Sequence, residues 1–275
     1  MADPFQDLNA ADPAFVSRIV DILEARAKEP LMVEIIESYL EALPWVGIDL
    51  AVEVGCGTGP ITRRMADHAA RAGRGGQVEG LEPSSALVAA AIELGQGMDN
   101  LRFATADGTA LPHEDGTVDV VVYHTVLTHV TDPVALLTEA RRVLRPGGQL
   151  VVCDADFSKA SFASGPDDPM GVFAQSFVRR FVTDAFTVGK LPAMVRLAGF
   201  ETTRFDVSNR ITTSDDGMIH YVQMCSEAMV SEGLIGQPLA EALLGEYARR
   251  RALGELYGFI PFATLIANKS DADSA

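Results

Sequence analysis

Several places along the chain combine residue types that could hold and transform a small charged molecule. The first is Ala51-Val52-Glu53-Val54-Gly55-Cys56-Gly57-Thr58-Gly59, an apolar run that ends in glycines at alternate positions. Glycine lets a chain turn sharply and approach a ligand closely because it has no Cβ. A helix that starts there would offer its free N–H groups to a negative or electron-rich ligand. An ordinary glycine-rich turn reads the same way, so the other positions must discriminate. Glu82 could accept hydrogen bonds from both hydroxyls of a ribose, a geometry that also serves NAD. Asp107, between Ala106 and Gly108, could accept from the exocyclic amine of an adenine. Glu53 interrupts an apolar run, where a charge needs a reason; it would meet donors on the ligand or brace the glycine loop. His124 and His129, with Asp154 and Asp156 further on, are candidate bases, since histidine titrates near neutrality and a protic acceptor must lose its proton. Tyr123 would orient a substrate or simply pack. No His/Asp/Glu cluster has ligand spacing, so no metal is expected.

These residues need elements to bring them together. Apolar positions at helical spacing over 13–43 predict two helices divided at Pro30. They precede the first strand and lie over a sheet edge or a ligand mouth. A strand at 49–54, a helix at 61–72, a strand at 77–81 and a helix opened by Pro83-Ser84-Ser85 follow. Short and long strands at 101–104 and 117–123, a helix at 132–144 stopped by Arg145-Pro146-Gly147-Gly148, and a strand at 149–153 complete the alternation. Alternating strands and helices imply a doubly wound parallel sheet whose ligand lies beyond the carboxyl ends of its strands. The glycine turn, Glu82, Asp107, Tyr123-His124 and Asp154/Asp156 all fall at those ends.

Beyond that core, 191–200 reads as a helix, 201–207 and 259–267 as strands, and 215–251 as helical, with Met218, Val222, Cys225 and Met229 on one face. An irregular stretch at 157–177 and the insertion at 212–257 are candidate lids. The expected organisation is an N-terminal helical cap over 1–46 and a core over 47–275, with a loose polar start over 1–12 and a disordered tail from Lys269.

Composition narrows the partners. Across 275 residues, 22 Lys and Arg stand against 38 Asp and Glu, a formal charge of −16. That field repels phosphate backbones and anionic membrane surfaces, which disfavours nucleic-acid and membrane partners. Three widely spaced cysteines form no CxxC pair, and the start of the chain is not a signal peptide, so the expected location is the cytoplasm. A homodimer is compatible with this composition.

The ordered set of Val52 through Gly59, Glu82, Asp107, Asp119 through Val130, and Arg142-Val143-Leu144-Arg145-Pro146-Gly147-Gly148 resembles the class I S-adenosylmethionine-dependent methyltransferases, and most of all the small-molecule branch containing the ubiquinone/menaquinone-type enzymes. The resemblance covers residues 48–155, about two fifths of the chain. It implies a Rossmann-like α/β fold, a doubly wound seven-stranded sheet that is mostly parallel, with an antiparallel last strand inserted beside strand five. It implies S-adenosyl-L-methionine as cofactor and S-adenosyl-L-homocysteine as product. Gly55, Cys56 and Gly57 would cradle the methionine part, Glu82 beside Pro83 the ribose, and Asp107 with Gly108 the adenine. The backbone at Tyr123-His124 would face the transferring methyl. Pro60 departs from the family pattern where a helix former is usual, and His124 where a small polar residue is usual, so His124 would project into the acceptor site.

The expected activity is methyl transfer to a small, partly apolar organic acceptor, on O, C or N, with His124, His129 and Asp156 as candidate catalytic groups. No Asn-Pro-Pro-Tyr-like segment is present to hold a flipped base or an amide. Two other readings share the fold. A scaffold that uses the cofactor for a non-methylating reaction or a binding role would keep the same residues. An NAD-dependent oxidoreductase would want G-x-G-x-x-G spacing and would give Asp107 and Pro146-Gly147-Gly148 no role.

Overall fold

A computed structural model of the chain describes residues 8–10, 12–73, 75–212 and 218–270. The chain opens with α1 (Pro13–Arg26) and α2 (Pro30–Leu40). Asp12 caps α1 through its side chain, and a proline stands in the first turn of both helices, where its missing N–H costs nothing. β1 (Leu50–Val54), α3 (Pro60–Arg71), β2 (Gln77–Glu82), α4 (Ser85–Leu94), β3 (Leu101–Thr105), β4 (Val118–His124), α5 (Pro133–Val143) and β5 (Leu144–Ala155) then alternate strand and helix. Ser84 and Asp132 cap α4 and α5 by accepting N–H bonds from Leu87 and Ala135. Pro60, the departure noted above, simply occupies the first turn of α3. The second half comprises α6 (Gly171–Phe181), α7 (Thr187–Leu197), β6 (Phe200–Thr212), α8 (Ile219–Ser231), α9 (Gln237–Leu253) and β7 (Gly258–Lys269).

Among the described residues the strands form one seven-stranded sheet in the order β3-β2-β1-β4-β5-β7-β6. The first five are parallel, and β7 runs antiparallel to both β5 and β6. Strand order reverses between β1 and β4, so a crevice opens at their carboxyl ends. The period of two along a strand sends alternate residues to opposite faces. On β4, Val120 and Val122 join one core and Val121 and Tyr123 the other; on β5, Val151, Cys153 and Ala155 join the first and Leu150 and Val152 the second. The first core packs under α2, α3, α6 and α8, the second under α5 and α7. All seven residues of β4 are buried, and each fully buried Val contributes about 1.5–3 kcal/mol.

The structure departs from the sequence expectations at several boundaries. Residues 171–181 are helical rather than irregular, because Phe173, Phe177 and Phe181 repeat every fourth position and share one apolar face. The expected helical stretch at 215–251 is two helices, broken where Gly233 takes φ +69° and a short turn leads to Gly236. β5 begins before Arg145-Pro146-Gly147-Gly148 rather than after it, with a register shift opposite β4. Lys269 belongs to β7 and the N–H of Ser270 donates to the carbonyl of Gly199, while 271–275 of the expected tail lie outside the described residues, as do 213–217 of the insertion and most of the N-terminal start. Among the described residues no helix is long and apolar enough to cross a membrane.

Candidate cofactor and acceptor site

A cavity of about 1270 Å³ opens at the strands' carboxyl ends. Ordinary ligand clefts hold about 300–1,000 Å³, so there is room here for two molecules side by side. One rim is the glycine loop. The N–H groups of Gly55 and Cys56 both donate to the carbonyl of Leu81, at 2.7 and 3.1 Å, and tie the loop to β2. Gly55 has φ +73°, and a Cβ there would stand 2.6 Å from Cγ2 of Val126. Gly59, at φ +75°, lies under the ring of Phe103 with no room for a Cβ. Strain and clash together make this glycine pattern obligatory.

Glu82 organises the rest of this rim. Its Oε2 accepts from the N–H of Gly57 and its Oε1 from the N–H of Ser84, both at 3.0 Å. Burial raises its pKa, and these two N–H groups oppose the rise. A carboxylate oxygen can accept more than one hydrogen bond, so a pair of hydroxyls can still be met on the cavity side. Pro83, Asp107 and Gly108 line the same cavity. Oδ1 of Asp107 accepts from both the N–H and the hydroxyl of Thr109 at 2.8 Å, which holds its carboxyl below the usual range.

Glu53 also lines the cavity. Its Oε2 accepts from the Thr62 hydroxyl of α3, so it braces the first turns of that helix rather than the N–H groups of the loop. Burial pushes its pKa up to about 8, which makes the protonated form prevalent at neutral pH.

α1 covers this rim, through contacts that sequence reasoning missed. Glu24 accepts from the Thr58 hydroxyl at 2.8 Å, and both its carboxylate oxygens accept from Nη2 of Arg63, also at 2.8 Å. Arg63 in turn donates to the carbonyl of Thr58. Leu23 packs so close to Gly57 that a Cβ there would lie 3.0 Å from its Cδ1. The apolar stripe of α1 was legible; the Glu24–Arg63 latch bridges 39 positions and left no local signal.

The other end of the cavity is built from β4, β5, α1 and the helical insertions. His124 is 4% exposed, and its Nδ1 lies 3.0 Å from the hydroxyl of Tyr39 on α2. Burial, with the Arg26 guanidinium nearby, pulls its pKa down to about 3. Thr125 follows with φ +54°, uncommon for a β-branched residue, and its Oγ1 accepts from Arg26 at 3.0 Å. Arg210 of β6 forms a two-pronged pair with Glu29, at 2.7 and 2.5 Å. Phe157 and Phe177 stand 5.2 Å apart, and Tyr221 stacks on Phe177 at 4.1 Å. None of Arg26, Glu29, Tyr39, Arg210 or Tyr221 carries a motif, so no sequence signal marked them.

The structure brings Glu53, Gly55, Cys56, Gly57, Glu82, Pro83, Asp107, Gly108, His124 and His129 to one cavity. It does not bring Tyr123 there by its side chain: the alternation of β4 turns that ring to the opposite face, where its hydroxyl donates to the carbonyl of Leu136 at 2.7 Å. Asp156 is likewise corrected. It caps the turn at Phe157–Lys159, accepting from the N–H and hydroxyl of Ser158, and does not line the cavity. Asp154 is buried and holds Thr128 through its N–H and hydroxyl. His129 stands edge-on to Phe157 at 6.2 Å and close enough to Asp154 to oppose the rise of its pKa. Of the expected methionine-bearing face only Met218 reaches the cavity, joined by Met224, which that face did not include; Val222, Cys225 and Met229 are core.

The residues present fit S-adenosylmethionine. The donor set includes a glycine cradle closed to any Cβ, a buried carboxylate with capacity for two hydroxyls, and a second carboxylate at the tip of β3. Residues 52–152 match the family model described as "Methyltransferase domain". Over 120 residues the chain is 36% identical to an uncharacterized methyltransferase of Schizosaccharomyces pombe, covering 41% of this chain and 42% of that protein. Over 101 residues it is 34% identical to demethylmenaquinone methyltransferase of Bacillus licheniformis, covering 37% and 42%. The chain thus spans about two fifths of the length of the curated relatives it matches. A solved structure of Haemonchus contortus phosphoethanolamine N-methyltransferase 2, in complex with phosphomonomethylethanolamine and S-adenosylhomocysteine, shares the fold with TM-score 0.58 at 15% identity, over 98% of this chain and 60% of that one. The sheet order, the glycine cradle and the sequence match agree that residues 52–152 are similar to a methyltransferase domain, on a fold shared with solved methyltransferases.

Proposed function

We propose that the protein methylates a small, partly apolar organic molecule with S-adenosylmethionine as donor. The observation that carries this reading is the convergence of the Glu82-anchored glycine cradle and an aromatic-lined compartment in one cavity. Gly55, Cys56 and Gly57 would hold the methionine part, Glu82 the ribose and Asp107 the adenine. Held by these residues, S-adenosylmethionine would supply an electrophilic sulfonium methyl group.

The chain's own work is positioning and exclusion of water. α1 closes the cradle through Glu24–Arg63, and Phe157, Phe177 and Met224 offer the acceptor an apolar wall. His124 is uncharged at neutral pH and a weak proton acceptor, since its pKa is near 3. That favours acceptors that ionise readily over those that need a strong base. Three unpaired, buried cysteines support a reducing compartment such as the cytoplasm.

Calorimetric titration tests the assignment. S-adenosylhomocysteine binds the wild type, and Gly57→Val removes that binding, because its side chain meets Leu23. Absence of binding to the wild type, or unchanged binding to Gly57→Val, overturns it.

A further inference from the structure

The acceptor end of the cavity has a surplus of hydrogen-bond donors and one cation that no carboxylate contacts by a hydrogen bond. Arg210 is neutralised by its fork-to-fork pair with Glu29. Arg26 differs: its hydrogen bond goes to the neutral Oγ1 of Thr125, while Glu29, already paired with Arg210, and Asp154 act on it only through their charges at longer range. It lines the cavity and lies near enough to Arg210 and His124 to affect the ionisation of both itself and the histidine. A partly buried cation with no carboxylate in hydrogen-bond contact is incompletely compensated, and this one stands in a protein whose net charge is −16.

Two side-chain atoms at the same end are buried without a partner, Nε2 of His124 and the hydroxyl of Tyr221. The histidine tautomer follows from its neighbour. The Tyr39 hydroxyl is fully buried, its pKa is raised well above the usual value, and the bond to Nδ1 of His124 is the one it makes. The arrangement that satisfies both groups has Tyr39 donating to Nδ1, which leaves the hydrogen of the neutral imidazole on Nε2. Guanidinium, Nε2–H and phenol O–H are therefore three donors that call for oxygen acceptors on a ligand. Around them the walls are Phe157, Phe177, Ile219 and Met224.

On the methyl-transfer reading, we propose that the acceptor substrate is an amphiphilic carboxylic acid, anchored by its carboxylate on Arg26, with further oxygens met by His124 Nε2–H and Tyr221, and its apolar body along Phe157, Phe177, Ile219 and Met224. A planar guanidinium matches a carboxylate in two parallel hydrogen bonds, which discriminates it from a neutral amide of the same shape. His124 then serves as a donor that orients the substrate rather than as the base.

Decanoate and phenylhexanoate, each against its primary amide, are titrated into the protein with and without saturating S-adenosylhomocysteine at neutral pH. The acids bind at least about tenfold tighter than the amides, a difference of about 1.4 kcal/mol. Arg26→Gln brings the pairs to within about twofold while S-adenosylhomocysteine affinity is kept, and Arg26→Lys retains part of the preference. Tyr221→Phe, which leaves the ring stack in place, weakens the acids without touching the cofactor product. Acids that bind no better than amides, or a preference that survives in Arg26→Gln, overturn the proposal. Failure of the wild type to bind S-adenosylhomocysteine instead overturns the methyl-transfer reading, whatever the acids do.

Discussion

The two ends of the cavity are built on different principles. The cofactor rim is mainly backbone: N–H groups of Gly55, Cys56, Gly57 and Ser84 are spent on Leu81 and Glu82, and the conformation is one that glycine alone tolerates. Its side chains are acidic, Glu53, Glu82 and Asp107. The acceptor end is all side chains, drawn from α1, α2, β4, β6, α6 and α8, and its distinctive charge is the cation Arg26. A backbone site is fixed by a short contiguous sequence and recurs wherever that sequence does. A site assembled from six elements can change its ligand by substitution without disturbing the sheet, so one donor can serve many acceptors on one fold.

That contrast can be attacked at three points. The largest effect is expected for Glu82→Gln. The amide turns one acceptor into a donor that faces an N–H group, and hydrogen bonds to a charged group are worth about 1.5–3 kcal/mol. Affinity for S-adenosylhomocysteine should fall by about ten- to a hundredfold, while the acid-over-amide preference at the far end persists. If calorimetry shows both ends failing together, they are not separable sites.

A smaller effect concerns Glu53, whose folded pKa of about 8 stands above its ordinary value of 4.5. The folded state therefore holds this proton more tightly than the unfolded chain. The stability it contributes is fully present below pH 4.5, and is lost as pH rises through about 8. Glu53→Gln removes that dependence, so the stability gap between variant and wild type should change with pH by at most about 1.4 kcal/mol per unit within that window. Denaturant midpoints across the range measure it, and parallel curves for the two proteins would show that Glu53 is not protonated on folding.

Tyr123→Phe should do least. Its hydroxyl donates to Leu136 on the face away from the cavity, so stability falls by about 1 kcal/mol and turnover is unchanged. A selective loss of turnover would mean that the second face of β4 participates in the site.

The glycine-loop rim of the cavity was readable in the sequence because its determinants are local. Three glycines at alternate positions, a carboxylate at the next strand end and capping Ser84 and Asp132 each act within a few residues of themselves. Errors arose where the outcome depended on parity or on distant partners. Asp156 looks like a base at a strand end, but the turn behind β5 takes it as a cap. Tyr123 and His124 are neighbours in sequence and point to opposite sides of the sheet. The helix at Gly171–Phe181 carried a legible four-residue repeat of phenylalanines that the surrounding glycines and prolines obscured.

By itself, then, the sequence determined the alternation of strands and helices, the glycine turn after the first strand and the carboxylates at the strand ends, because short-range backbone preferences and two-residue periodicity set them. Only the tertiary structure decided that Arg26 hydrogen-bonds to Thr125 rather than to a carboxylate, that Tyr39 fixes the tautomer of His124, that Glu24 latches α1 onto Arg63, and that Tyr221 stacks beside the cavity. Those relations join residues between 39 and 99 positions apart or more. At such separations chain connectivity carries no signal, and only packing brings the partners within hydrogen-bond reach.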